Sequence, residues 1–149
     1  MLEVPDVPGA ENVLAWFGYW PTFHDAEVLS ISLDRLSGCR ASIHVFENTG
    51  KVDTSGYFVL AKHAVVTFYM EGFPVDESGN TNTRIDCFNH QNVLRGARIN
   101  RRAEGYELAL SGCYGVDGSI VCERMSITLE PGIPTGSIYG SARKPLSTR

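Results

Sequence analysis

Hydrophobic and polar positions alternate with a period of two through most of this chain, and with a helical period over one short stretch. The helical stretch is residues 11–19 (ENVLAWFGY), where Val13, Leu14, Phe17 and Trp16 recur three or four apart and Gly18 and Pro21 stop the run. After it the pattern is that of strands. In Glu27–Arg35, Leu29, Ile31 and Leu33 are expected to point inward and Ser30, Ser32 and Asp34 outward. Ala41–Phe46 is a second strand, closed by the turn-forming cluster Glu47-Asn48-Thr49-Gly50. Ala64–Met70 is β-branched and aromatic throughout, as in a strand covered on both faces.

The second half continues this way. Thr83–Phe88 and Val93–Arg102 read as strands around Asn89-His90-Gln91-Asn92, with Ala97 and Ile99 packing inward. Gly105–Gly112 alternates with Tyr106, Leu108 and Leu110 inward. Ser119–Leu129 reads as one long strand whose apolar parity changes between Cys122 and Met125, which predicts a bulge or a strand leaving one sheet for another. Seven strands, one short N-terminal helix and turns such as Asp117-Gly118 and Ser78-Gly79-Asn80 predict a mostly β fold: an antiparallel sandwich or a partly open barrel. The expected organisation is a single domain over 1–136 and a flexible basic tail over 137–149.

Composition changes little in this picture. With 43% hydrophobic and 20% charged residues, the 149-residue chain can build a core without staples. No apolar run approaches the roughly 20 residues of a membrane span, and the N-terminus lacks a signal-peptide pattern, so a cytoplasmic location is expected. Cys39, Cys87, Cys113 and Cys122 form no C-x-x-C pair and read as buried structural thiols.

Charge says more. The first 34 residues hold six acids and no Lys or Arg, the last ten hold three basic residues and no acid, and residues 1–139 carry a net −7. A body of that sign disfavours nucleic acid and would steer a basic protein partner. The stripe Arg98, Asn100, Arg102 lacks the interleaved aromatics of a nucleic-acid groove, and cross-strand pairing with Glu104 or Glu107 accounts for it.

Candidate chemistry is sparse. No H-E-x-x-H or G-x-S-x-G element and no phosphate-binding loop is present, so no cofactor, metal or catalytic set is expected. Asp25 and Glu27 would share a strand face if both were extended, which reads as a solvated face. Trp16, Tyr19 and Trp20 are more than a short helix can bury, and aromatic anchors ringed by charge are what protein interfaces use. Glu11, Trp16, Tyr19, Trp20, Asp25 and Glu27 are therefore the expected partner-binding residues. The alternative is a small metal-binding protein or enzyme in which His24, Asp25 and His90 converge. A third reading is a ligand-carrying barrel with Phe68, Tyr106 and Trp20 around its pocket.

Five segments carry a family resemblance: FGYWPTFHDAEVLSISLDR, IHVFE, VVTFYMEG, DCFNHQNVLRGARI and IVCERMSITLEPG. In this order, from about Asn12 to Gly132, the chain resembles the immunity protein 50 family of bacterial polymorphic-toxin systems, the F-G-x-W-P-x-F-H-D and F-N-H-Q-N-V runs being the specific parts. The resemblance implies a cytoplasmic antidote that binds and blocks a cognate toxin protein, and it implies no catalytic residues. Residues 137–149 lie outside it.

Overall fold

A computed structural model describes residues 3–80 and 82–139. The chain runs α1 (Ala10–Phe17), β1 (Glu27–Asp34), β2 (Gly38–Val52), β3 (Phe58–Glu71), β4 (Arg84–Asp86), β5 (Val93–Arg102), β6 (Gly105–Tyr114), β7 (Asp117–Cys122) and β8 (Arg124–Pro131). All eight strands join one antiparallel sheet in the order β4-β7-β6-β5-β1-β2-β3-β8, which does not close into a barrel. The middle is a seam, because β1 and β5 pair in the ladder only at Glu27 and Val93. The segment just before β1 extends the seam: Leu94 exchanges hydrogen bonds with Asp25 and Ala26, and the Ala97 N–H donates to the Thr22 carbonyl.

The parity change in 119–129 resolves as a strand change. β7 lies second from one edge and β8 forms the other, with only Glu123 between them in sequence. The Glu123 N–H donates to the carbonyls of Glu71 and Gly72 at 3.1 and 2.9 Å, which fixes the crossover at the end of β3. The sheet must therefore curl, and its two wings enclose one core. Leu108, Leu110, Ile120 and Cys122 come from one wing, and Ala41, Ile43, Val66, Phe68, Met70 and Ile127 from the other.

The helix buries Ala10, Val13 and Phe17. It is tied to the edge strand where the Ile127 N–H donates to the Pro8 carbonyl at 2.8 Å. Gly9 has φ 94°, and a Cβ there would lie 1.8 Å from the Ile127 carbonyl oxygen, so this approach requires glycine. Gly18 ends the helix in the left-handed region, its N–H donating to the Leu14 carbonyl.

Several expectations change. Glu47–Gly50 is not a turn: β2 and β3 run on as a projecting hairpin, and the turn lies at Asp53, whose carboxylate accepts from Ser55 N–H and Tyr57 N–H. Polar residues suffice there because neither face of the projection covers the core. Leu29 and Leu33, expected inward, are exposed, Leu33 by 57%: Leu29 is the extra residue where the β1–β2 register shifts between Val28 and Ser30, and Leu33 lies beyond the single β1–β5 pair. Cys39 and Cys122 are buried, but Cys87 and Cys113 are exposed, so the thiols are two of each kind. Among the described residues no helix is long and apolar enough to cross a membrane.

Candidate functional site

Two neighbouring clusters grow out of the segment between α1 and β1. In the first, Pro21 favours extended backbone at Trp20, and the chain then enters left-handed conformation at Phe23 and again at Asp25, both at φ 63°. These two turns send successive side chains to different places. The Phe23 ring packs between Trp20 and Phe68, at centroid distances of 6.1 and 5.9 Å. His24 turns outward, its Nδ1–H donating to the Arg95 carbonyl at 3.1 Å, with Asp25 Oδ2 3.6 Å from Nε2. Each left-handed residue costs roughly 1–2 kcal/mol, which burial of the Phe23 ring offsets at about 1.5–3 kcal/mol.

Of the expected partner-binding residues, Glu11, Trp16, Tyr19 and Asp25 reach the surface and Trp20 and Glu27 do not. Trp20 is 6% exposed, drawn inward against Phe23. Glu27 is 4% exposed. Asp25 is not extended, so it does not share a face with Glu27.

The exposed rings are nevertheless fixed. The Trp16 indole N–H donates to the Lys62 carbonyl at 2.8 Å, and the Tyr19 hydroxyl donates to Glu47 Oε1 at 3.0 Å. Lys62 sits at a bulge in β3 with φ 53°, where the pairing shifts between Val45 and Glu47, and its ammonium donates to the Phe17 carbonyl. Burial, then the Glu47 hydrogen bond and charge, raise the Tyr19 phenol above its ordinary value, so the ring stays a neutral donor. A hollow of about 140 Å³ opens beside Tyr19, lined by Phe46, His24, Asp25 and Glu47 among others.

The second cluster lies on the opposite face of β1–β3 from the core. Glu27 and His44 are cross-strand partners, and the His44 ring is fully buried. Glu27 Oε1 is 2.6 Å from His44 Nδ1, and His44 Nε2 is 2.9 Å from Nδ1 of His63, the residue after the Lys62 bulge. The chain beyond β8 crosses this face as a strap: the Gly132 N–H donates to the His63 carbonyl, and the Ser137 hydroxyl and Ile138 N–H donate to the Glu27 carboxylate. Burial alone would raise the Glu27 carboxyl, but the bonds from His44, Ser137 and Ile138 hold it below its ordinary value. Burial, then the His44 charge, lowers His63 against an opposing pull from Glu27.

Sequence reasoning placed Ser137–Tyr139 with the tail, whereas these residues dock on Glu27 and His44; residues 140–149 lie outside the described residues. It also missed this cluster. The available signal was an acid set between two apolar residues, Ala26 and Val28, and all three are buried.

The other candidates do not assemble. His24 is held on Arg95, His90 is exposed in the loop before β5, and no group of three or more His, Cys, Asp or Glu able to hold a metal occurs among the described residues. Phe23 fills the space between Trp20 and Phe68, where the carrier reading required a cavity. On the basic stripe, Glu107 accepts from Asn100 and lies 3.7 Å from Arg102, the expected cross-strand pairing.

A scan against protein-family models gives no match, and searches of curated proteins and of solved structures give none either.

Proposed function

We propose that this chain is an immunity protein that binds and neutralises a cognate bacterial toxin in the cytoplasm by protein–protein contact, without chemistry of its own. The observation that carries the reading is the pinned pair Trp16 and Tyr19. Each ring is more than a third exposed, yet its polar atom is already spent on the protein, on the Lys62 carbonyl and Glu47 respectively. Rings held this way lose little freedom on binding, which is the property of an interface anchor. Asp25 and Glu47 line the hollow beside Tyr19, where Lys62 lies 4.0 Å from Glu47, and with Glu11 in the first turn of α1 they offer carboxylates to a basic partner. The family resemblance of the F-G-x-W-P-x-F-H-D run points the same way.

The test is co-purification with the product of an adjacent toxin-like gene. A complex lost on Trp16→Ala with Tyr19→Ala supports the reading, and no complex at micromolar concentration removes it.

A further inference from the structure

Two arginines of β5, Arg101 and Arg102, take partners: the Tyr106 hydroxyl at 2.8 Å and Glu107 at 3.7 Å. The other two do not. Among the described residues, the guanidinium groups of Arg95 and Arg98 make no hydrogen bond, ion pair or ring contact. Both line one hollow of about 510 Å³. Residues three apart in a regular strand point to opposite faces. Here Arg95 is an extra residue, because the β5–β6 pairing passes from Leu94 with Gly112 directly to Gly96 with Ser111. This bulge resets the parity and brings Arg95 to the side of Arg98.

The bulge is braced by the segment before β1. His24 Nδ1–H donates to the Arg95 carbonyl at 3.1 Å, and the Ala97 N–H donates to the Thr22 carbonyl at 3.1 Å. A Cβ on Gly96 would lie 3.2 Å from that carbonyl, tighter than an ordinary contact. The floor of the hollow is nearly bare. Gly96 has no side chain, Ala97 and Leu110 send theirs to the core, and Ala109, opposite Arg98, adds only a methyl group. Thr22 and Ser111 bring hydroxyls to the lining. Asp117 also lines it, but its Oδ1 is engaged by the Gly112 N–H at 2.9 Å. Two guanidinium groups against one carboxylate make this a positive hollow on an acidic chain.

We propose that this hollow binds a small organic acid with a flat body, its carboxylate or phosphate held by Arg95 and Arg98 and its ring lying over Gly96 and Ala109. A guanidinium offers parallel N–H donors that match the oxygens of either group. A floor without projecting side chains admits a planar body, and the volume falls within the roughly 300–1,000 Å³ of small-molecule sites. The bulge supplies the arrangement, since without the extra residue only one of the two arginines would face the hollow. Neither Trp16 nor Tyr19 lines it, so its occupancy stands apart from any toxin.

The experiment titrates the full chain calorimetrically with benzoate and with phenyl phosphate at low ionic strength, beside benzyl alcohol, acetate and inorganic phosphate. Saturable binding of a ring acid is expected, weakening as salt is added, and the tighter of the two identifies the anionic group. Benzyl alcohol, the ring without the charge, and acetate and inorganic phosphate, the charge without the ring, should bind at least about tenfold more weakly. Arg95→Gln and Arg98→Gln should each weaken binding at least about tenfold. Ala109→Leu, which fills the floor and leaves both arginines in place, should weaken it by a similar factor. No saturable binding of either ring acid at millimolar concentration, binding that survives Arg95→Gln with Arg98→Gln, or equal affinity for the probes lacking ring or charge would overturn the proposal. Both arginines are exposed, so their variants carry the test without disturbing the core.

Discussion

Glu27 shows how much one buried side chain can hold. Its carboxylate gathers a side chain from β2 and two donors from the strap, so Glu27→Ala strands several polar groups at once. The expected loss is about 3 kcal/mol in urea unfolding. The same cluster sets an acid limit. Glu27 is depressed below its ordinary 4.5, so its contribution is complete above that pH and is lost as pH falls through the folded value. His63 is depressed below 6.5, so on acidification the unfolded chain binds its proton first, and stability declines from about that pH downward. Melting temperature should therefore fall in two steps, and His63→Gln should remove the upper one. The thiols give an independent check of burial. Cys39 and Cys122, pushed by burial up to about 11, should resist a thiol reagent until the chain unfolds, while Cys87 and Cys113 react at once.

At the scale of elements, close approaches decide what can change. Gly9→Ala drives a methyl into the Ile127 carbonyl and should cost about 3 kcal/mol or more by thermal or urea unfolding. Gly18→Ala meets open space, so only its left-handed backbone counts, about 1 kcal/mol. The same contrast explains what was legible. β5 is found at the residues its pattern predicts, because Ala97 and Ile99, two apart, pack against a real core, and an irregularity between Leu94 and Gly96 lets Leu94 join them. The projecting ends of β2 and β3 were not legible, since hairpin pairing without burial leaves no apolar period in Asn48–Val52. The break at Glu123 was visible as a change of parity, but parity alone does not say which edge the next strand joins.

For the whole molecule, the uneven charge matters more than its total. If the acidic face steers a basic toxin, Glu11→Lys with Asp25→Lys should slow association in stopped-flow measurements and flatten its salt dependence, while dissociation changes little. Trp16→Ala should instead act on dissociation and cost about 2 kcal/mol in calorimetry. The candidate surface was half legible. Composition revealed an excess of rings, and packing alone selected Trp16 and Tyr19 over Trp20, because that choice depends on Phe23 and Phe68, a contact between distant segments.

The crossover at Glu123 also has a consequence for birth on the ribosome. β3 is complete at Glu71, but its outer neighbour begins only at Arg124, some fifty residues later in synthesis. Until then the nascent chain carries an unsatisfied ribbon of amides beside Val66 and Phe68, open to pairing with a sister polypeptide. Chaperone demand should accordingly last until β8 has been made, and chains cut short ahead of residue 124 should be insoluble.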